Sequence, residues 1–118
     1  MSDWKTPLRL VEQLDKKGNI HEKGVKKLVS AVAEASELGD KLGCAEFIAF
    51  ATSAVRSAHN SEAVLDEVEK QTGVRLQILS GVEEAQLTFL AARRWYGWSA
   101  GRITNLDIGG GSLELSTG

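Results

Sequence analysis

The sequence has few of the residues that crosslink small proteins or hold metals. Cys44 is the one cysteine among 118 residues, and His21 and His59 are the two histidines. A single cysteine excludes an internal disulfide and a cysteine-based zinc site. The histidines lie far apart and lack metal-ligand spacing. No apolar run approaches the length needed to cross a bilayer. The opening "MSDWKTPLRL" lacks a basic stretch followed by an apolar one, so it does not read as a secretory signal. Neither charge sign dominates: 14 Lys and Arg face 16 Asp and Glu, for a formal charge of −2. That balance gives no electrostatic basis for nucleic-acid binding, and a polyanion must be held by local basic groups. Hydrophobic residues make up 42% of the chain, enough for one globular domain with a modest core. These features together favour a cytoplasmic protein.

Patterning then sets out an alternation of strands and helices. Residues 5–13 can extend, with Leu8 and Leu10 on one face and Pro7 at a strand start or sheet edge. "DKKGN" at 15–19 is a turn. Asn19 with Glu22 forms a capping-box pattern for a helix over 20–42, which Gly43 ends. Its apolar stripe is Val25, Leu28, Val29, Val32, Ala35, Leu38 and Leu42. The run "CAEFIAFATSAV" at 44–55 is nearly all apolar and suits a strand buried on both faces, with Cys44 in the core. A second helix over 61–72 has Asn60 or Ser61 as its cap and Gly73 at its end. "VRLQILS" at 74–80 is a third strand. Ser80 caps a third helix over 81–97, with Val82, Ala85, Phe89, Ala92 and Tyr96 as its stripe. Arg93 and Arg94 read as a solvated or interface pair, and Trp95, Tyr96 and Trp98 as packing or partner-facing aromatics. Two further strands, 101–109 and 112–116, flank Gly109, Gly110 and Gly111. The alternation predicts an α/β fold with a parallel sheet.

Three short stretches carry chemistry. The first is "NLDIGGGSLEL" at 105–115. Its glycines enter a strand rather than a helix, and no Gly-Lys-Ser/Thr follows, so the Walker and Rossmann phosphate loops are rejected. A tight hairpin is the plain alternative to a backbone phosphate cradle. Asp107 favours the cradle, because a carboxylate inside an apolar strand is costly unless it meets a metal or hydrogen-bond donors. Glu114 projects opposite Leu113 and Leu115, on the side of Ser112. Two carboxylates around a phosphate cradle point to magnesium-phosphate chemistry. The second stretch is Ser80-Gly81-Val82-Glu83-Glu84. Glu83 completes a capping box, whereas Glu84 points about a hundred degrees away and is free for other work or for the helix dipole. The third is "ATSAVR" at 51–56, where Thr52, Ser53 and Arg56 follow a strand end. Ligands of open α/β sheets collect at such ends, although a lone arginine there is otherwise a solvated charge.

"FATSAVRSAHN" (50–60), "ILSGVEEAQLTFLA" (78–91) and "NLDIGGGSLEL" (105–115) together resemble the exopolyphosphatase and guanosine-pentaphosphate phosphohydrolase family. That family is similar to the actin-like phosphotransfer proteins with a ribonuclease H-like domain. The resemblance implies an incomplete mixed sheet with flanking helices. It also implies hydrolysis of terminal phosphates from polyphosphate or guanosine pentaphosphate with a divalent cation, Mg²⁺. Glu84 resembles the catalytic glutamate that activates water. Asp107 and Glu114 resemble acidic residues around the metal and the lytic water. Gly109, Gly110, Gly111 and Ser112 resemble a phosphate loop, and Thr52, Ser53 and Arg56 phosphate contacts. Position 113 is leucine where threonine is usual. Family members open with a further Asp-x-Gly-Ser-Asn-Ser loop that this sequence does not contain. The expectation is therefore an internal fragment, inactive alone. Residues 1–100 would be part of a first domain and 101–118 the opening hairpin of a second. A homodimer is expected of the intact protein, with no nucleic-acid or membrane partner. The alternatives are a non-catalytic, partner-binding remnant and, less favoured, a piece of an actin-like kinase or ATPase.

Overall fold

The computed structural model describes residues 3–109 and 111–118. Asp15 folds the first turn. Its carboxylate accepts the backbone N–H groups of Lys17 (2.7 Å) and Asn19 (3.0 Å), while Gly18 takes a positive φ of 79°. The segment before it is not a strand. Leu10–Gln13 forms one 3₁₀ turn after Arg9, whose φ is 51°. Asn19 does not cap the following helix, because its carbonyl closes the turn onto Asp15. The helix, α1, runs Glu22–Lys41 and starts after His21.

Phe50–Ala51 (β1) is all that extends from the apolar run, before Ser53–Ser57 turns into the short helix α2. Ser61–Thr72 (α3) ends at Gly73 in the left-handed conformation, as the glycine predicts. Asn60 precedes α3 but does not cap it. Its amide instead grips the backbone of Ile20, donating to the carbonyl and accepting the N–H, both at 2.9 Å. Gln77–Ile78 (β2) pairs in parallel with β1. Gly81–Tyr96 (α4) opens with the expected capping box. Thr104–Ile108 (β3) and Leu113–Thr117 (β4) form an antiparallel hairpin.

The class is mixed α/β, but the strands form two separate pairs rather than one parallel sheet. The run at 44–55 is correspondingly not buried on both faces. Phe47, Ile48 and Phe50 are exposed, as is Cys44, because β2 is the one strand beside β1 among the described residues.

Among the described residues, the buried hydrophobic side chains run from Ile20 to Leu76. They come from α1, β1, α2 and α3 and from Ile20, Ala58 and Leu76 in the adjoining segments, with Ile20, Val64 and Val68 the most fully buried. The remainder, α4 and the hairpin, buries two charged side chains instead, Arg93 and Glu114. The hairpin is turned inside out relative to a soluble sheet. Asn105, Asp107, Glu114 and Ser116 lie on the less exposed side, while Leu106, Ile108, Leu113 and Leu115 are 54–72% exposed. The accessible surface is 8362 Å², against about 6,200 Å² expected for a compact chain of this mass. The radius of gyration is 16.0 Å, against about 13.5 Å. Two units joined along a seam account for both excesses. No helix among the described residues is long and apolar enough to cross a membrane.

Candidate functional site

The seam brings the three chemistry-bearing stretches together. Arg56 sits in the last turn of α2, just past β1, and its guanidinium reaches across to the second unit. Nη1 donates to the Leu79 carbonyl at 2.6 Å and to Glu84 Oε2 at 3.0 Å. Nη2 stands 3.8 Å from Glu114 Oε1, within ion-pair range but too far for a hydrogen bond. One cation thus serves a carboxylate from the start of α4 and another from β4.

The two neighbouring glutamates divide as their helical offset requires. Glu83 folds back on the helix cap: its carboxylate accepts the Ser80 N–H at 2.8 Å, and Ser80 Oγ accepts the Glu83 N–H at 3.2 Å. These bonds, the backbone one foremost, hold the Glu83 carboxyl below its ordinary value of 4.5. Glu84 faces the seam.

Asp107 and Glu114 are direct cross-strand partners, so their side chains leave the same face of the hairpin. The strand places Asp107 beside α4, where Thr88 Oγ1 lies 3.1 Å from Oδ2 and 2.9 Å from the Glu84 carbonyl. The loop between them is closed by the Gly109 N–H donating to the Ser112 carbonyl at 3.0 Å. Gly111 rests on α2. A Cβ there would lie 3.3 Å from Ser53 Oγ, so the loop approaches the strand-end motif closely only as glycine. Gly110 lies outside the described residues. Thr52 directly precedes α2, and its carbonyl accepts the Arg56 N–H at 2.9 Å.

Arg56, Glu84 and Glu114 thus meet directly, Gly111 lies close to Ser53, and Asp107, Gly109 and Ser112 are beside them on the hairpin. Thr52 contributes a backbone contact. Thr88 was not foreseen, although it stands four residues after Glu84 and therefore on the same helix face. Arg93, read as half of a solvated or interface pair, is internal to the chain. It is 6% exposed, donates to the carbonyls of Gly101 and Gly118 at 2.6 Å each, and lies 5.5 Å from the ring centres of Phe89 and Trp98. It anchors the hairpin base to the end of α4. Val82, Trp95, Tyr96 and Trp98 are exposed, so the predicted α4 stripe holds only in its middle, at Ala85, Phe89 and Ala92.

Among the described residues no three His, Cys, Asp or Glu side chains gather as a metal cluster. Asp107 and Glu114 nonetheless form a paired set of hard oxygen donors. Magnesium typically takes one or two carboxylates and completes its shell with water and substrate phosphate, so this donor set fits an ion bound together with its substrate.

A glycine hairpin, a strand-end arginine and the Glu84 carboxylate thus come together on a mixed α/β scaffold. The Ppx/GppA phosphatase family model matches residues 1–118, and the chain belongs to that family. It is 61% identical over its whole length to exopolyphosphatase 1 of Mycobacterium leprae, and 60% to that of Mycobacterium tuberculosis. It covers 35% and 34% of those proteins, so the chain spans about a third of the length of the curated relatives it matches. Among solved structures, an exopolyphosphatase from Cytophaga hutchinsonii superposes over the entire chain with a TM-score of 0.89 at 26% identity, the match covering 38% of that structure. An exopolyphosphatase-like protein gives 0.81 at 32% identity, over 94% of this chain and 34% of its own.

Proposed function

We propose that this chain forms part of the cleft of a cytoplasmic enzyme that hydrolyses terminal phosphoanhydride bonds of inorganic polyphosphate or guanosine pentaphosphate. Residues 1–100 belong to a first domain and 101–118 open a second, with the intact protein a homodimer. The observation that carries the proposal is the position of Arg56, 3.0 Å from Glu84 and 3.8 Å from Glu114, beside a loop whose Gly111 lies close to Ser53.

In this reading Arg56, Thr52 and Ser53 hold a non-bridging phosphate oxygen, and the amides of Gly111 and Ser112 line the same anion, while the Gly109 N–H closes the turn onto the Ser112 carbonyl. A guanidinium suits a phosphate because its fork matches two oxygens. Glu84 orients the attacking water and takes its proton as the new P–O bond forms and the bridging P–O bond breaks, the shortened chain leaving with the bridging oxygen and its electron pair. Asp107 and Glu114 would hold magnesium, which neutralises charge on the phosphate when bound. Thr88 fixes the Asp107 carboxylate for that task. The relatives' printed name, exopolyphosphatase, supports polyphosphate as the substrate class.

The test is a chimera in which this chain replaces the matched third of the Mycobacterium leprae protein. The expected outcome is phosphate release from polyphosphate in magnesium, with no transfer from ATP to a sugar. A folded chimera that releases no phosphate, or that phosphorylates the sugar, would overturn the proposal.

A further inference from the structure

Arg56 is held by the very carboxylates that the chemistry needs free. Its first arm is committed twice, to Leu79 and to Glu84. Its second arm makes no hydrogen bond among the described residues and faces Glu114, whose side chain is 7% exposed. The Arg56 side chain itself is 25% exposed, so solvent and solutes reach it. The three groups come from three elements, α2, α4 and β4, and meet only at this point. From these positions we infer that Glu84 and Glu114 act as an internal latch on Arg56, competing with phosphate for its guanidinium, and that phosphate arrival frees Glu84 to hold water. The inference rests on the phosphate-binding reading above and adds to it how the site is regulated.

The chemistry is a ligand exchange. A polyphosphate end offers several anionic oxygens to the fork, whereas Glu84 offers one oxygen at 3.0 Å and Glu114 none within hydrogen-bonding distance. The second arm is therefore the point of entry, since the weaker contact is displaced first. Losing Glu114 there leaves the Leu79 carbonyl as a fixed anchor, so the guanidinium keeps its orientation while its anionic partners change. Glu84 then swings from a cation to a water beside the phosphate. Catalytic competence would follow substrate binding, and an empty site would not present a free carboxylate to solvent.

The latch makes a prediction of unusual sign. Removing a charge from the proposed site should tighten phosphate binding. The 118-residue chain is titrated with inorganic tripolyphosphate in EDTA, following the backbone amide resonances of residues 52–57 and 81–85 by NMR. EDTA removes metal, so the carboxylates are read only as competitors. Glu114→Gln and Glu84→Gln should each bind roughly threefold to tenfold tighter than wild type, the scale of a partly exposed ion pair. Glu83→Gln removes the same charge one residue away without facing Arg56, and should change affinity little. Arg56→Gln should abolish the gain. If Glu114→Gln fails to fold, Glu84→Gln alone decides. Wild-type binding with no tightening beyond that of Glu83→Gln overturns the latch and leaves the phosphate reading standing. Absence of Arg56-dependent binding in every variant overturns both.

Discussion

Glu83 and Glu84 are chemically identical neighbours, and one helical step separates a cap from a site. The capping-box spacing identified Glu83 from sequence alone, because Ser80 and Glu83 must meet once a helix starts there. It left Glu84 without a structural duty, and the seam supplies one in Arg56. In the chimera, Glu84→Gln should lower turnover by roughly 10²–10⁴-fold, the range for losing a general base. Glu83→Gln should leave turnover nearly intact. A steady-state phosphate assay of both variants decides, and the reverse pattern would exchange their roles. Acid stability should report on the Glu83 cap. The folded carboxyl of Glu83 lies below its ordinary value of 4.5, so its contribution is present above that pH and fades as pH falls through the lower folded value. The wild-type melting temperature should therefore drop more steeply below about pH 4.5 than that of Glu83→Gln, as thermal melts from pH 6 to pH 3 will show.

At the scale of elements, those with local chemistry were the readable ones. Gly43 and Gly73 end helices in the left-handed conformation that their absence of Cβ permits. The Ser80 cap and the glycine hairpin likewise follow from residues within a few positions of one another. What failed depended on distant partners. The apolar run at 44–55 reads as a fully buried strand, yet only Phe50 and Ala51 pair, because sheet burial is supplied by neighbouring strands and not by the run itself. Asn60 was expected to cap a helix and instead serves Ile20, forty positions away in sequence. Arg93 reads as a solvated or interface charge, since nothing local announces that two backbone carbonyls and two aromatic rings of its own chain will enclose it. For the candidate site, the sequence singles out Arg56, Glu84 and Glu114 separately, and the fold brings them together. That Arg56 pairs with both carboxylates does not follow from any local pattern. The hairpin loop yields its own prediction. Gly111→Val would place branched methyls against Ser53, which is already 3.3 Å from a Cβ at that position. The clash should destabilise the loop by about 1–3 kcal/mol and abolish turnover in the chimera. Unchanged activity would mean that the glycine serves only the turn.

Across the whole molecule, the apolar core and the proposed chemistry occupy different places. The core lies within 20–76, while the carboxylates of the site ride on α4 and the hairpin. A cleft that works by positioning needs its walls fixed, and here one wall leans on the other through Arg56 and the Ser53–Gly111 contact. The isolated chain should accordingly release no appreciable phosphate from polyphosphate with magnesium. A rate near that of the Mycobacterium leprae protein in the same assay would refute this.

The division of the molecule also shapes how it comes apart. A unit without buried hydrophobic side chains draws little stability from burial, so α4 and the hairpin should open at lower free energy than the core, as a separate cooperative step. Their amides would exchange with deuterium first, and Val64 and Val68 would hold theirs longest. Because Arg56 and Glu84 stand on opposite sides of that opening, any anion bound between them is bound only by the closed form. Mass action then ties occupancy to order: a ligand at a hundred times its dissociation constant adds about 2.7 kcal/mol to the closed state. The seam is where substrate and fold share one equilibrium.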